Sequence, residues 1–372
     1  MLFQNVIGQN DLKLKLLKEV KDQKVSHAQL FTGEPGYGTL PLALAFAQLL
    51  FCEKPTENDS CGICSCCIQV KGLQHPDLHF SFPTVQGISK ISDGLISEWR
   101  EQIKEMPYFS SFDWIKRIDP KEGNPMISVH ESLEIQRKLR LTSYQGGYKV
   151  MVIWMPEKMN SECANKILKV LEEPPSKTVF ILVTADADGL IDTIKSRCQV
   201  VPLHRIKNDT LSRHLMNLYN ISKEKCKSIT AFSEGNLLRA MEISEAQEGD
   251  EALKDAFITL MRSSYKKNVI EMMNWADSMA KEGKERQKIF LKYTLHMLRQ
   301  CIVKNYMGND LVQVSNEEAD FISKFSPFIS GNNIREFMKA FDEAFYQLER
   351  NANAKILFTL LCFQSMRYLH KK

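Results

Sequence analysis

A glycine-rich turn between a β-rich run and an apolar helical stretch restricts the fold of this chain more than any other segment. The run Ala28 to Thr32 ends at Gly33, and the helix formers of Pro41 to Phe51 follow. A strand, a glycine turn and a helix in this order predict a crossover unit, which joins parallel strands. Further β-rich runs, each separated from the next by helical stretches, are Met126 to Val129, Val150 to Met155, Thr178 to Thr184 and Gln199 to Leu203. Residues 1–205 are therefore predicted to form a parallel α/β domain with helices on both faces.

The rest of the chain shows helical periodicity and no convincing strand. Apolar residues recur three or four positions apart at Leu291, Leu295, Leu298 and Ile302, and at Ile334, Phe337, Phe341, Phe345 and Leu348. This spacing predicts the amphipathic helices of a bundle. The polar, acidic stretch 245–250 is the best linker, and it divides a small helical domain, 206–248, from a larger one, 249–372. The predicted fold class is α/β followed by all-α.

Residues 86–125 interrupt the alternation of strands and helices. Glycine, serine, proline and aromatic residues surround a single helical piece, Leu95 to Met106. We interpret this segment as a surface insertion of unassigned role.

Composition excludes several classes of protein. The chain has 372 residues, and 49 Lys and Arg against 45 Asp and Glu give a net charge of +4. Such a small excess predicts no extensive nucleic-acid or acidic-membrane surface, so any DNA contact is expected to be local or shared with partners. The start of the chain lacks the pattern of a signal peptide, and no apolar stretch reaches the roughly 20 residues of a membrane helix. We expect a soluble cytoplasmic protein without a membrane partner.

The turn itself resembles a phosphate-binding loop that lacks the two side chains needed to bind phosphate and magnesium. Gly33, Gly36 and Gly38 lie as in G-x-x-x-x-G-K-[ST], but Thr39 replaces the lysine and Leu40 replaces the hydroxyl residue that would hold magnesium. We therefore expect a degenerate loop that does not bind ATP. Residual nucleotide binding stays open, because backbone N–H groups at a helix start still attract phosphate.

A second strand should supply carboxylates for magnesium and for water activation. Val150 to Met155 ends instead in Trp154 and Met155, and Glu157 follows only after Pro156. Loss of both the lysine and the acids predicts no ATP hydrolysis, since phosphoryl transfer depends on positioning and charge.

Five of the ten cysteines lie between Cys52 and Cys67. The spacing Cys52-x8-Cys61-x2-Cys64-x2-Cys67 supplies four soft ligands for a tetrahedral zinc ion, and Cys66 could replace one of them. Four thiolates would leave no position for water, so the zinc is predicted to be structural. The alternative is a set of reduced thiols without metal.

Ser196-Arg197-Cys198 follows the helical stretch Gly189 to Lys195 and precedes the last predicted strand. A planar guanidinium at a sheet edge suits a phosphate on a neighbouring subunit. By residue type alone, a solvated or paired surface arginine explains Arg197 better, because most surface arginines are of that kind.

Several ordered motifs together resemble the delta-prime family of bacterial DNA polymerase III clamp-loader subunits, which belongs to the AAA+ superfamily. The motifs are Val6-Ile-Gly-Gln9, His27-Ala28, the altered loop 33–39, the cysteine module ending in His75-Pro-Asp77, the stretch NKILKVLEEPP at 165–175, and Thr193 to Cys198. The similarity covers roughly residues 1–205, whereas the helical half agrees with the family's architecture but offers few diagnostic residues.

The resemblance implies a fold and a division of labour. It implies an AAA+ P-loop-type sheet domain with a zinc module at about 52–75, a small helical lid domain and a C-terminal helical collar that holds a ring together. The chain would be a non-hydrolysing stator without catalysis of its own, within a DNA-directed DNA polymerase (nucleotidyltransferase) holoenzyme. Its partners would be the gamma/tau motor subunits, the delta subunit, the sliding clamp and primer–template DNA.

The resemblance also implies roles for individual residues. Arg197, within Ser196-Arg197-Cys198, would be an arginine finger inserted in trans into the ATP site of a neighbouring subunit. The zinc ligands would be Cys52, Cys61, Cys64 and Cys67. Arg239 is a possible counterpart of a second arginine sensor, although no γ-phosphate is expected for it to sense.

Three other interpretations compete with this one. An active ATPase motor subunit of the gamma/tau type disagrees with the residues at four positions, Thr39, Leu40, Trp154 and Met155. A zinc-dependent nucleic-acid module acting alone has little basic charge near its cysteines, where Lys54 and Lys71 stand against three acidic residues. A helical scaffold without a replicative role explains the missing catalysis but not the Ser-Arg-Cys motif.

Overall fold

The computed structural model describes residues 1–119, 123–144, 146–219, 223–245, 250–307, 312, 316–350 and 352–371. The chain divides into two compact units, of which the first comprises 1–214 with 235–239 and the second 215–234 with 240–372. This division does not isolate residues 206–248 as a domain, so the three-domain scheme stays a prediction. The predicted linker, 245–250, falls largely on residues 246–249, which lie outside the described ranges.

A five-stranded parallel sheet forms the centre of the first unit. Its strands are β1 (Ala28–Thr32), β2 (Leu78–Ser81), β3 (Lys149–Trp154), β4 (Thr178–Thr184) and β5 (Gln199–Pro202). They lie in the order β2-β3-β4-β1-β5, and every neighbouring pair is parallel. In register, Phe31 of β1 lies beside Val183 of β4 and Val201 of β5. The sequence prediction of a parallel α/β sheet is confirmed.

Four predicted strands are confirmed to within one residue at either end, and two differences remain. The predicted strand Met126 to Val129 is wrong, because Met126 and Ile127 form only isolated bridges and a helix begins at Val129. Strand β2 was missed. It has four residues, lies at the edge of the sheet and includes a histidine, so its apolar pattern is too short to recognise.

Helices cover both faces of the sheet, as the sequence predicts. They are α1 (Asn10–Lys21), α2 (Thr39–Phe51), α3 (Ser65–Lys71), α4 (Ile96–Glu105), α5 (Ser111–Ile118), α6 (Val129–Arg140), α7 (Ser161–Glu172) and α8 (Asp192–Lys195). Alternate strand residues enter two cores: Val150 and Val152 pack with α2 on one side, whereas Met151 and Ile153 pack with α6 and α7 on the other. Every residue of α2 is buried.

Residues 86–125 do not form the surface segment that the sequence suggested. Trp99 of α4 and Trp114 of α5 are fully buried in the main core of the unit, and Phe109 joins them there. The indole of Trp99 stacks on Phe82 at 4.3 Å and meets Trp114 edge-on at 5.2 Å. The segment thus supplies aromatic side chains to the core. Its many glycines and serines favour a surface loop when composition alone is considered, so this burial was not predicted. Its status as a family insertion stays a prediction.

From residue 208 onward, every element of the described chain is helical. They are α9 (Asn208–Tyr219), α10 (Lys223–Ser233), α11 (Leu237–Glu245), α12 (Asp250–Lys266), α13 (Val269–Lys281), α14 (Lys284–Met307), α15 (Asn316–Phe325), α16 (Ile334–Glu349) and α17 (Ala354–Leu369), with one short 3-10 turn at Ser326–Phe328. Leu291 and Leu298 of α14 and Phe337 and Phe341 of α16 lie in one core of the second unit, as their spacing predicts. Among the described helices, none is long and apolar enough to serve as a membrane span.

Candidate functional site

The altered phosphate loop lies at the edge of the sheet where ligands bind in parallel α/β folds. Strands β3, β4 and β1 are neighbours, so their carboxyl ends meet at this edge. The Gly33 N–H, directly after β1, donates to the Thr184 carbonyl at the end of β4 over 3.1 Å. The topology therefore places the loop, Trp154 and Thr184 side by side.

The loop uses its own N–H groups. Residues Pro35–Tyr37 form a 3-10 turn, in which the Tyr37 N–H donates to the Glu34 carbonyl at 2.9 Å and the Gly38 N–H donates to that of Pro35 at 3.2 Å. Gly38 has a φ of +90°, in the region that favours glycine, and helix α2 begins directly after it. These two amides are turned into the loop rather than toward a ligand.

The start of α2 lacks one donor. A helix N-terminus binds anions through its first four N–H groups. Pro41 is among these positions and has no N–H, whereas the Leu42 N–H makes the first regular bond of the helix, to the Gly38 carbonyl at 2.9 Å. The Thr39 side chain is buried, as is that of Leu40. The loop thus has the glycine turn of a phosphate-binding loop, with the Tyr37 and Gly38 N–H groups bonded within the turn and no N–H at Pro41.

Two side chains cover the loop glycines. A Cβ added to Gly36 would lie 1.8 Å from Asn236 Oδ1, and one added to Gly38 would lie 3.1 Å from the Tyr108 ring. Tyr108 is buried, which raises the pKa of its phenol to about 12, and its hydroxyl accepts from the Ile7 N–H at 2.9 Å. Asn236 and Tyr108 thus lie so close to Gly36 and Gly38 that a side chain at either glycine would clash with them.

A small polar cluster joins the loop to the start of α11. The Asn236 Nδ2 donates to Glu34 Oε2 at 2.6 Å, and Arg239 Nη2 lies 3.1 Å from the same oxygen. Asn236 Oδ1 in turn accepts from the Arg239 backbone N–H at 3.2 Å. The structure therefore places Arg239, the possible arginine sensor, against a carboxylate of its own chain.

Hydrophobic packing replaces the carboxylates expected at the end of β3. Trp154 is buried, with its ring 5.3 Å from that of Trp99 and 5.1 Å from that of Phe109. Glu157 accepts a 2.7 Å hydrogen bond from the Thr184 hydroxyl, and burial raises the pKa of its carboxyl. A carboxyl engaged and desolvated in this way is a poor magnesium ligand.

Arg197 lies just before β5 and is held by its own chain. Its guanidinium pairs with Glu172 at the end of α7, and Nη1 donates to the Thr193 carbonyl at 2.7 Å. The neighbouring Ser196 hydroxyl donates to the same carbonyl at 3.2 Å, and burial raises the pKa of the Cys198 thiol to about 11. The arginine side chain remains about one third exposed.

The four predicted zinc ligands come together. The sulfur atoms of Cys52, Cys61, Cys64 and Cys67 all lie within 4.8 Å of one another. Cys52 follows the last residue of α2, and Cys64 precedes the first residue of α3 and accepts from the Cys67 N–H at 3.4 Å. The turns at both helix ends thus aim the thiols at one point.

The donor set suits a structural zinc ion. Zinc bonds of about 2.3 Å to four thiolates place the sulfur atoms about 3.8 Å apart, close to the 3.9 Å between Cys61 and Cys67. Backbone N–H groups of Ile63 and Cys64 lower the pKa of Cys61 to about 6, whereas burial raises those of Cys52 and Cys67. Cys66 lies outside the group, with its sulfur 3.4 Å from Glu53 Oε1.

The sequence analysis did not identify the residues that contact the loop and Arg197. Glu34, Asn236 and Tyr108 contact the loop region, and Glu172 pairs with Arg197. Glu172 lies in the motif NKILKVLEEPP and Glu34 in the loop 33–39, but nothing in either motif marks its carboxylate as a partner of an arginine. Asn236 and Tyr108 lie far from the loop in sequence, so no local pattern identifies them.

Comparison with known proteins identifies the family. A profile described as DNA polymerase III, delta subunit, matches residues 8–207, which is more than half of the chain. The chain belongs to that family. DNA polymerase III subunit delta′ of Bacillus subtilis is 27% identical over 243 residues, covering 64% of this chain and 61% of the relative. Subunit tau of the same organism is 21% identical over 389 residues, covering 99% of this chain and 62% of the relative.

These relatives confirm the resemblance to the delta-prime family. The comparison is limited by the length of the relatives that is matched and by the low similarity to solved structures. The chain spans about three fifths of the length of these two relatives. Among solved structures, a DNA polymerase III gamma subunit-related protein from Thermotoga maritima is 14% identical and covers 96% of this chain and 100% of its own, with a TM-score of 0.36. A likeness at that score is too weak to support an argument about the fold.

Proposed function

We propose that this protein is a non-hydrolysing stator of the replicative clamp loader. In this role it completes a ring of AAA+ subunits that opens a sliding clamp and places it on primer–template DNA. The observation that carries the proposal is the replacement of phosphoryl-transfer side chains at Thr39, Leu40, Trp154 and Met155 in a member of this family. The hydrogen bonding within the loop, which engages the Tyr37 and Gly38 N–H groups, supports it further.

Arg197 is proposed as an arginine finger acting in trans. Its pair with Glu172 is partly exposed, and such pairs contribute about 0–1 kcal/mol. Exchange of Glu172 for a γ-phosphate on a neighbour therefore costs little free energy. The guanidinium would then stabilise charge that develops in the neighbour's transition state.

The C-terminal helical domain, residues 249–372, is proposed as the collar that holds the subunits together. Ile356, Leu360 and Phe363 lie four and three positions apart on α17, so they share one face of the helix, and they are 69%, 51% and 37% exposed. A row of exposed apolar side chains at helical spacing is typical of a protein interaction surface. The gamma/tau motor subunits and the delta subunit are the proposed partners.

Zinc is proposed to have a structural role. Residues 53–58 are exposed throughout, so the loop between α2 and the thiol group has little core of its own. The four thiolates would hold the ion and fix this loop to α3. With all four positions taken by sulfur, no position remains for a water nucleophile.

A gamma/tau-like motor subunit is the second candidate. The alignment with a tau subunit covers nearly the whole chain, which favours it. The missing lysine and acids speak against it, because phosphoryl transfer relies on them. Co-purification with candidate motor subunits and an ATPase assay of the chain alone separate the two. Hydrolysis by the isolated chain, abolished by changing its own loop, would establish the motor.

The finger is tested by Arg197→Ala in the assembled complex. An arginine finger contributes about 10³-fold or more at its site, so DNA-stimulated ATPase should fall to what the remaining sites supply, with ring assembly unchanged. Arg197→Lys should restore little, because an ammonium lacks the planar fork. Arg140→Ala, an exposed position at the end of α6, is the matched control. Unchanged ATPase in a verified complex of the Ala variant would remove the finger.

A further inference from the structure

A small cavity within the second unit is lined by aromatic rings and by cations. Its volume is about 190 Å³, and its lining comes from α12, α15 and the 3-10 turn at Ser326–Phe328. Tyr265 and Phe328 line it, are 48% and 39% exposed, and meet edge-on with ring centroids 4.9 Å apart. The buried ring of Phe325 stacks on that of Phe321 at 5.2 Å and continues the aromatic wall into the core. The cavity thus offers ring surface to solvent.

Each of the two helices brings a cation beside a ring at the cavity. On α12, Tyr265 lies three positions after Arg262 and directly before Lys266. On α15, Lys324 lies three positions after Phe321. Residues three or four positions apart lie on the same side of a helix, so aromatic and basic side chains share the face that lines the cavity.

A neighbouring side chain holds the exposed ring of Tyr265 in place. The imidazole of His370 stacks on it at 5.5 Å, while Phe328 meets it edge-on. A ring that is already ordered loses little side-chain entropy when a ligand stacks on it. The exposed aromatic surface is therefore prepared for a flat ligand.

The cations at the cavity carry charge that the chain does not neutralise. Lys324 pairs with Asp320 at 2.8 Å, but these side chains are 75% and 71% exposed, so the pair is weak. Arg262 and Lys266 form no ion pair with any residue that the structure describes, and like charges four positions apart on a helix repel each other. Lys266 and Lys324 complement the dipoles of the helices that end beside them, but this does not explain Arg262 or the exposed rings. The charge favours a polyanionic ligand.

We propose that this cavity binds single-stranded nucleic acid, with a base against Tyr265 and Phe328 and the flanking phosphates on the three cations. Every base has an apolar face that stacks on aromatic rings, and its backbone supplies the polyanion. A duplex keeps those faces covered, and an acidic protein segment would satisfy the cations without using the rings. The inference goes beyond the proposed function, which assigns no nucleic-acid contact to any residue of this chain, and it does not depend on that function.

The test measures binding of a fluorescein-labelled oligothymidylate of about 10 nucleotides to the full chain by fluorescence anisotropy, from about 50 to 200 mM salt. Tyr265→Ala and Phe328→Ala should each weaken binding about fivefold or more, the effect of losing one base–aromatic stack. Tyr265→Phe keeps the ring and should bind as the unmodified chain does. Arg262→Ala should reduce the slope of log affinity against log salt by about 0.7, as expected for one lost phosphate contact. Tyr346→Ala is the control, because Tyr346 is 51% exposed beside Arg350 but does not line the cavity.

Each outcome decides the proposal. It would be overturned if the unmodified chain does not bind the oligonucleotide, if both Ala variants fold by circular dichroism and bind normally, or if the control loses as much affinity. Equally tight binding of a duplex through the same residues would contradict it too. Displacement of the oligonucleotide by polyglutamate at equal charge would assign the cavity to acidic protein segments instead. Oligouridylate tells RNA from DNA, and ring-dependent binding of either supports the site. The assay needs neither ATP nor another subunit, so its result is independent of the stator test.

Discussion

The two ends of helix α2 differ in how complete a set of ligand-binding groups each one carries. At its N-terminus, the loop has the glycine spacing of a phosphate-binding loop, but Thr39 and Leu40 stand where such a loop has a lysine and a hydroxyl residue, and Pro41 has no N–H. At its C-terminus, Cys52 begins a group of four thiols within 4.8 Å of one another, a complete donor set. The glycines are needed for the turn whatever the loop binds, whereas the backbone N–H bonds that three of the thiols accept do not require four sulfur atoms at one point. The convergence of all four therefore favours a metal site.

The largest expected effect comes from breaking the C-terminal end. Cys64→Ser should abolish stoichiometric zinc in freshly purified protein and open residues 52–75, with a local loss of about 4 kcal/mol or more, as is typical when a structural metal is lost. Metal analysis and hydrogen exchange measure the two effects. The sheet should persist, because its core lies elsewhere.

Cys66→Ser is the matched control for that experiment, since Cys66 is buried beside the group but lies outside it. It should keep the zinc. The four-thiol site would be contradicted by purified unmodified protein without zinc, or by equal zinc loss in both variants. Neither end of α2 would then carry a working ligand site.

The next largest effect tests whether the carboxyl end of β3 contributes to the hydrophobic core. Trp154→Ala should reduce the free energy of unfolding by about 3–5 kcal/mol, because the ring packs against Trp99 and Phe109. Urea titration measures the loss, and Leu141→Ala, at a leucine that is 58% exposed, should change stability by less than about 0.5 kcal/mol. A loss as small as that of the control would mean that Trp154 is dispensable to packing and is retained for another reason.

The smallest effect concerns Glu157. Burial raises the pKa of its carboxyl, so the folded state holds the proton more tightly than the unfolded state does, and stability falls as pH rises above the ordinary value of 4.5 toward the raised one. Glu157→Gln, which can still accept from Thr184, should therefore raise the melting temperature at pH 7 and leave it unchanged at pH 4. Equal shifts at both pH values would show that charge is not the cause.

The sequence sufficed for those features that depend on local pattern. The glycine turn after β1, four strands and the helical second half have short-range periodicity, and the thiol spacing specifies a tetrahedral donor set. Burial of Trp99 and Trp114 was not predictable, because their segment is rich in glycine and serine and they enter the core through tertiary packing. Strand β2 was too short to detect.

The partners of the site residues could not be predicted either. Asn236 reaches Glu34 across 202 positions of sequence, and Arg197 reaches Glu172 across 25. Such contacts arise from the topology of the sheet and from the return of the chain at residues 235–239. A motif shows which side chain is missing, but only the fold shows which side chain has taken its place.

The strand order also governs how the protein emerges from the ribosome. In the described sheet, β1 pairs with β4 and β5, so it cannot form its hydrogen-bonded ladders until residues 178–202 have been translated. At about 5–20 residues per second, β1 and the side of α2 that faces the sheet wait on the order of 10 s. During that interval, the contacts open to α2 are those with α1 and α3, which are made from residues close to it in sequence.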